Sequence, residues 1–238
     1  MKIALIGYGK MGHMIEGISL QRGHEVILKI NIENLGDFTQ ANLTAADVAI
    51  EFTGPETAFE NVVQCLRFGV PVVSGSTGWN QKLVDAKELC IQQKGAFLHA
   101  SNFSIGVNIF FQVNQFLAKL MAPHTDYEVS LKEIHHTQKL DSPSGTAVTL
   151  AEGVLENIQR KKSWVNHLTS TSEELSIISE RIDPAPGTHY VTYSSEVDEI
   201  EIVHTAHNRK GFALGAVLAA EFIASKKGVF SMEDVLRM

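Results

Sequence analysis

His135, His136 and Lys139 set two imidazoles and an ammonium group close together, and Pro143-Ser144-Gly145-Thr146 follows them directly in the same connection. Before them, Tyr127, Val129 and Leu131 alternate with Glu128, Ser130 and Lys132, the period of a half-buried strand. After them, Ala147, Leu150, Ala151, Val154, Leu155 and Ile158 recur at helical spacing and form one apolar stripe. The segment from Glu133 to Ala147 is therefore a strand-to-helix connection. A helix start offers backbone N–H groups without intrahelical partners and the positive end of a dipole, to which Ser144 and Thr146 add hydroxyls. Beside three side chains able to carry positive charge, it suits a small, doubly negative ligand. The plainer alternative is a capped helix flanked by solvated His and Lys, since helix caps are common and specific sites are not.

Adjacent strand residues point to opposite faces, so His135 and His136 are poorly placed to share one metal ion. No cysteine or His-x-x-x-His spacing accompanies them, and no metal is expected. A division of labour fits better, with one imidazole moving a proton and the other holding a ligand oxygen.

The chain has 238 residues, enough for one large domain or two modest ones. Its formal net charge of −7 argues against a nucleic-acid surface, and no apolar run approaches the roughly 18 residues of a membrane span. The apolar run at Met1 to Gly7 is too short for a signal peptide and leads straight into a folded pattern. Cys65 and Cys90 fall on apolar helix faces and read as buried thiols of a reducing compartment, so a cytoplasmic protein is expected.

These reactive residues need elements to position them. Ile3 to Ile6 is a short apolar strand that runs into Gly7-Tyr8-Gly9-Lys10-Met11-Gly12, and a helix follows with Gly23 as its stop. Strand, Gly-x-Gly-x-x-Gly, helix is the context in which that motif signals a dinucleotide: one glycine for the turn, one for pyrophosphate approach, one for close packing. The second strand, Glu25 to Ile30, ends with Lys29 and Asn31 where an acid for the adenosine ribose is usual. Lys29 could instead meet a 2′-phosphate. Residues 31–46 leave room only for an abbreviated crossover. A third strand, Val48 to Thr53, is apolar apart from Glu51, and Thr53-Gly54-Pro55-Glu56 has capping-box spacing. After a fourth strand at Val70 to Val73, the loop Ser74-Gly75-Ser76-Thr77-Gly78 lies where an open α/β sheet presents its ligand.

A helix around Leu83 to Ile91 and a strand at Ala96 to His99 lead to Ala100-Ser101-Asn102-Phe103. The alternation predicts a Rossmann-type, doubly wound parallel sheet. Beyond Ser104 the pattern changes. Three strand-like runs at Leu175–Arg181, His189–Ser195 and Glu199–His204 follow one another without helices, predicting a smaller α+β domain with a mostly antiparallel sheet. Such a sheet needs its second face covered, and self-association is one way to do so. Phe212 to Ile223 is almost wholly apolar and should be a buried helix.

The run from Glu133 to Ala147 resembles the signature of the 4-hydroxy-tetrahydrodipicolinate reductase family, long called dihydrodipicolinate reductase, of lysine biosynthesis by the diaminopimelate route. The resemblance extends through Gly7 to Gly12, Gly75 to Gly78, Ala100 to Asn108, Ile200 to His204, Phe212 to Val217 and Met232 to Leu236. It implies that His135 is the catalytic acid and Lys139 a second proton-donating or charge-stabilising group. His136, Lys139, Ser144, Gly145 and Thr146 would then hold the carboxylates of a small dicarboxylate substrate.

The resemblance also implies NADPH or NADH as cofactor, held by Gly7, Tyr8, Gly9, Lys10, Met11, Gly12, Gly75, Ser76, Thr77, Ala100, Ser101, Asn102 and Phe103, to which the place of Lys29 at the end of the second strand adds that residue. It implies a homotetramer formed through the second sheet. It places a dinucleotide domain at 1–104 and 212–238 and a substrate-binding and oligomerisation domain at 105–211. The glycine loop is one residue shorter than the commoner Gly-x-x-Gly-x-Met-Gly form and the acid after the second strand is missing, both of which bear on cofactor preference. Two other readings are a different Rossmann-type dehydrogenase and a dinucleotide-sensing regulator. The first would be favoured by a Glu-Lys-Pro-like motif and the second by a helix-turn-helix or a basic face, and the sequence has none of these.

Overall fold

The computed structural model describes residues 1–237. Strand β1 (Lys2–Ile6) is buried from Ile3 onward and turns at Gly7 into helix α1 (Lys10–Gln21), after which β2 (Glu25–Ile30) pairs parallel to β1. The short link that follows holds only a 3-10 turn at Leu35–Asp37 and α2 (Gln40–Leu43), and leads to β3 (Val48–Glu51). Helix α3 (Ala58–Arg67), β4 (Val72–Ser74), α4 (Leu83–Gln92) and β5 (Ala96–His99) continue the alternation. Thr53 is not the cap of α3. The helix starts later, after Thr57, and Thr53 turns instead towards Glu51.

Helix α5 (Ile105–Met121) and β6 (Glu128–His135) precede α6 (Gly145–Asn157), β7 (Ser163–Val165) and β8 (Glu174–Arg181). The hairpin β9 (Thr188–Ser194) and β10 (Glu199–Thr205) comes next, then α7 (Lys210–Ile223), β11 (Gly228–Phe230) and α8 (Met232–Leu236).

The chain divides into two compact units, one of residues 1–105 with the segment from Lys210 onward, the other Gly106–Arg209. The first holds a six-stranded, all-parallel sheet in the order β11-β5-β4-β3-β1-β2. Its strand order reverses between β1 and β3, the place where such sheets open a crevice at their carboxyl ends. Both faces are covered, as continuous apolar strands require. Ile15 of α1 and Ala213, Val217 and Ile223 of α7 pack on Leu5, Ile50 and Val73 on one side. Val62 and Leu66 of α3 and Ala86 and Cys90 of α4 pack on Ala4, Ile6 and Val72 on the other. Helix α7 lies so close to the segment after β5 that a Cβ on Gly215 would stand 1.7 Å from the Phe103 carbonyl oxygen.

The second unit's sheet has the order β10-β9-β6-β8-β7. It is mixed rather than mostly antiparallel: β9 runs antiparallel to β10 and β6, but β8 runs parallel to both β6 and β7. The reason is α6, which makes the passage from β6 to β8 a crossover instead of a hairpin. Phe110 and Ala118 of α5 and Leu150 and Val154 of α6 pack with Val129, Leu131, Ile177, Val191 and Tyr193 on one face. The opposite face carries a Lys132–Glu180 ion pair at 2.9 Å together with Tyr190, Thr192 and Val203, and among the described residues no helix of this unit packs on it.

Candidate active site

The alternation along β6 sends Leu131, Glu133 and His135 to the helix-covered face, all three buried. Register then aligns Glu133 with Ser179 of β8 and with His189 of β9. Glu133 has no exposure to solvent, so its charge must be met by protein groups. Its Oε1 accepts from the Ser144 backbone N–H at 3.0 Å and the Ser179 hydroxyl at 2.8 Å, with an Arg181 guanidinium nitrogen at 3.6 Å. Its Oε2 faces His135 Nδ1 at 3.4 Å and His189 Nε2 at 3.6 Å. Burial alone would push this carboxyl up, but His189, Ser144 and Ser179 outweigh it and hold Glu133 well below the usual carboxylate range.

Burial pushes the His135 imidazole down to about 4, opposed by Glu133 and assisted by His189, Lys139 and Arg181. Its ring meets that of His189 edge-on, centroids 5.0 Å apart. Gly187 lies beside the ring at φ +157°, and a Cβ there would come within 2.9 Å of His135 Nε2.

Beyond the strand end, Lys139 Nζ holds both oxygens of Asp141 at 2.7 and 2.8 Å, and Arg181 donates to the Asp141 carbonyl at 2.6 Å. His136 is half-buried, and the next residue, Thr137, donates to Asp183. Ser144 caps α6 by accepting from the Ala147 N–H at 3.2 Å, with His189 Nε2 also 3.2 Å from its hydroxyl. Gly145 is exposed and has open space where a Cβ would be, with Thr146 half-buried beside it. The structure thus brings His135 and Ser144 together around Glu133, and pairs Lys139 with Asp141.

Glu133, His189, Arg181 and Asp141 were not singled out from the sequence. The inward parity that Glu133 shares with Leu131, and His189 with Val191 and Tyr193, was the available signal. Metal-ligand spacing is absent from the sequence, yet Glu133, His135 and His189 offer donor atoms within 4.8 Å of one another, a juxtaposition created by strand register.

In the first unit the glycine turn has the geometry of a phosphate-binding loop. Gly7, at φ +95°, has the Phe52 carbonyl oxygen 2.0 Å from where a Cβ would lie, and a Cβ on Gly12 would come within 2.7 Å of the Gly7 carbonyl oxygen. Gly9 has open space, so a ligand can approach its backbone, and as N-cap of α1 it supplies no side-chain bond to the helix's first N–H groups. These residues fit a pyrophosphate.

A cleft of about 240 Å³ beside them is lined by Met11, Phe52, Thr53, Gly75, Ser76 and Thr77. Its floor is organised by the fully buried Glu51, which accepts from the Thr53 N–H at 2.8 Å and from the Ser74 and Ser76 hydroxyls at 2.5 and 2.7 Å. Ala100 donates to the Ser74 carbonyl at 3.3 Å, Ser101 is exposed, and Asn102 and Phe103 are buried just beyond. Lys10 is exposed at the helix start. Lys29 is not free for a phosphate: its ammonium is 2.5 Å from Glu16, whose carboxylate also accepts from the Tyr8 hydroxyl, and it lies 5.1 Å from the Tyr8 ring centroid.

A doubly wound parallel sheet, a glycine turn with open approach to an uncapped helix, and a cleft at the carboxyl ends of the strands define a Rossmann-type NAD(P)H-dependent oxidoreductase. Within that class the chain belongs to the dihydrodipicolinate reductase family. The family's N-terminal model, "Dihydrodipicolinate reductase, N-terminus", matches residues 1–103, and its C-terminal counterpart matches residues 106–236.

The chain is 51% identical over 241 residues to the 4-hydroxy-tetrahydrodipicolinate reductase of Christiangramia forsetii, covering 99% of this chain and 98% of that protein. It is 31% identical to the enzyme of the same name from Methanococcus vannielii, again covering 99% and 98%. Its fold is shared with the dipicolinate-bound dihydrodipicolinate reductase of Paenisporosarcina sp., at 24% identity, TM-score 0.76 and 97% coverage of both chains. More distantly it resembles a probable dehydrogenase of Thermotoga maritima, at 9% identity and TM-score 0.56, covering 99% of this chain and 92% of that one.

Proposed function

We propose that the protein reduces 4-hydroxy-tetrahydrodipicolinate to tetrahydrodipicolinate with NADH or NADPH, in the diaminopimelate route to lysine. The observation that carries this reading is a buried imidazole, His135, set against an ionised Glu133 beside the Ser144-capped start of α6. When bound, the reduced nicotinamide supplies a hydride to the unsaturated six-membered ring. The N–H groups at the start of α1 hold its pyrophosphate, and the Glu51-organised loop at Gly75 to Thr77 shapes the cleft beside it.

The 4-hydroxyl leaves with a neighbouring ring hydrogen as water, the hydride enters at the carbon it vacates, and His135 gives a proton to the ring carbon next to that one. Lys139 leaves Asp141 to meet a substrate carboxylate and offsets charge as the ring becomes electron-rich, while His136, Ser144, Gly145 and Thr146 hold the carboxylate oxygens. A homotetramer assembled through the second unit's sheet is part of the same reading, supported by the face that no helix of that unit covers. The buried thiols of Cys65 and Cys90, neither of them in a disulfide, support a cytoplasmic location. Among the described residues no helix is long and apolar enough to cross a membrane.

The test is to follow NAD(P)H oxidation with freshly generated 4-hydroxy-tetrahydrodipicolinate. Rapid turnover that depends on this substrate is expected. Cofactor binding without turnover would reject the reading.

A further inference from the structure

His189 has no part in the reduction described above and Glu133 stands there only as the charge beside His135, yet both are buried and both lie against the proton donor. We propose that Glu133 is the positioning residue for proton delivery: one carboxylate oxygen stands 3.4 Å from His135 Nδ1 and closes on its N–H when the ring is charged, and the other accepts from the Ser144 N–H at the carboxylate-binding helix start. His189 is the second group on the same oxygen as His135 and keeps the carboxylate in place.

The proposal rests on the reading of His135 as the acid. With Nδ1 turned to Glu133 Oε2 at 3.4 Å, the only other ring nitrogen is Nε2, and the missing side chain of Gly187 keeps space beside that atom. A carboxylate behind an imidazole selects its tautomer and stabilises the imidazolium. The charged and titratable groups facing this pair are His189 on β9, Arg181 on β8, and Lys139 and Asp141 on the connection after β6. His189, Lys139 and Arg181 all oppose a charged His135, so Glu133 is the counter-ion that permits one.

Burial nonetheless keeps His135 neutral in the ligand-free chain, and it takes up a solvent proton when the dianionic substrate arrives. In the step itself the Nε2–H bond breaks and a C–H bond forms at the ring carbon. The electron pair stays on nitrogen, leaving a neutral imidazole with Nδ1–H still on Glu133.

The experiment compares Glu133→Gln, Glu133→Asp and His135→Gln in the full chain, by kcat against pH, NADH binding and circular dichroism. Loss of the counter-ion should lower kcat by about 10²-fold or more in Glu133→Gln and move the alkaline fall of kcat down by about one to two pH units, with NADH binding kept. Glu133→Asp should recover much of the rate and the native profile, and it carries the test if the Gln variant does not fold. A Glu133→Gln enzyme with native kcat and native pH profile would overturn the proposal. So would loss of activity in EDTA restored by Zn²⁺, because Glu133, His135 and His189 would then be ligands. Native activity in His135→Gln would instead reject the acid assignment beneath it.

Discussion

In the proposed reaction His135 carries the heaviest demand of any single residue, since burial favours its neutral form and proton delivery needs the charged one. If it delivers the proton, His135→Gln should lower kcat by about 10²–10⁴-fold and leave KM near native, as steady-state kinetics will show. On the same proposal Lys139 meets charge in both the bound and the reacting ring, so Lys139→Ala should raise KM and lower kcat together. The expected loss in kcat/KM is about 2–5 kcal/mol, with Asp141 also left without its partner.

Burial of His135 has a second consequence, for stability. Its folded value near 4 lies below its unfolded value of 6.5, so between those limits the unfolded chain binds a proton that the folded chain does not. Stability therefore falls as pH drops through that window, by about 2 kcal/mol at pH 5. Glu133, held low, keeps its contribution until the pH falls below the ordinary carboxylate range. Urea denaturation at pH 7.5 and pH 5 should show a smaller difference in His135→Gln than in the native chain. The residues of the connection after β6 were legible because their chemistry lies in one run of sequence. Glu133 and His189 meet only through strand register, and Glu51 looked like a lapse in an apolar strand until its four donors were in place.

At the scale of elements, the end of β2 decides more than its missing acid suggests. Lys29 is committed to Glu16 of α1, which withholds its charge from a 2′-phosphate. Glu16→Gln should release it and raise the NADPH/NADH ratio of kcat/KM by roughly 3–10-fold, about 0.7–1.4 kcal/mol, measured with both cofactors. An unchanged ratio would remove Lys29 from the cofactor site. Periodicity revealed the longer elements, since β6 alternates over eight residues and α6 carries a continuous stripe. It was silent on β7 and β11, three residues each, which exist because a neighbouring strand offers an edge. The capping-box spacing at Thr53 to Glu56 misled for a related reason: the nearby buried Glu51 was a stronger partner for Thr53 than a helix end.

For the whole molecule, the proposed assembly runs through the sheet face of the second unit that bears Lys132, Tyr190 and Val203. Val203 is 46% exposed on the edge strand β10, and Val203→Glu should set like charge and hydration against a close-packed interface. Light scattering should find a tetramer in the native chain and smaller species in the variant. A native monomer with full activity would dispose of this assembly. The alternation of strands and helices made the parallel sheet legible, whereas the parallel pairing of β6 and β8 was not, because it depends on where α6 returns the chain.

The return of the chain to the first sheet also has a meaning for how the protein is made. Helix α7 and strand β11, which cover one face of that sheet and extend its edge, follow the second unit in sequence. On the ribosome, residues 106–209 are therefore all translated while the face over Leu5, Ile50 and Val73 still lacks Ala213, Val217 and Ile223. The half first in the message is the last to close, and a growing chain arrested before Lys210 would hold every residue of the proton-delivery site but no finished nucleotide fold.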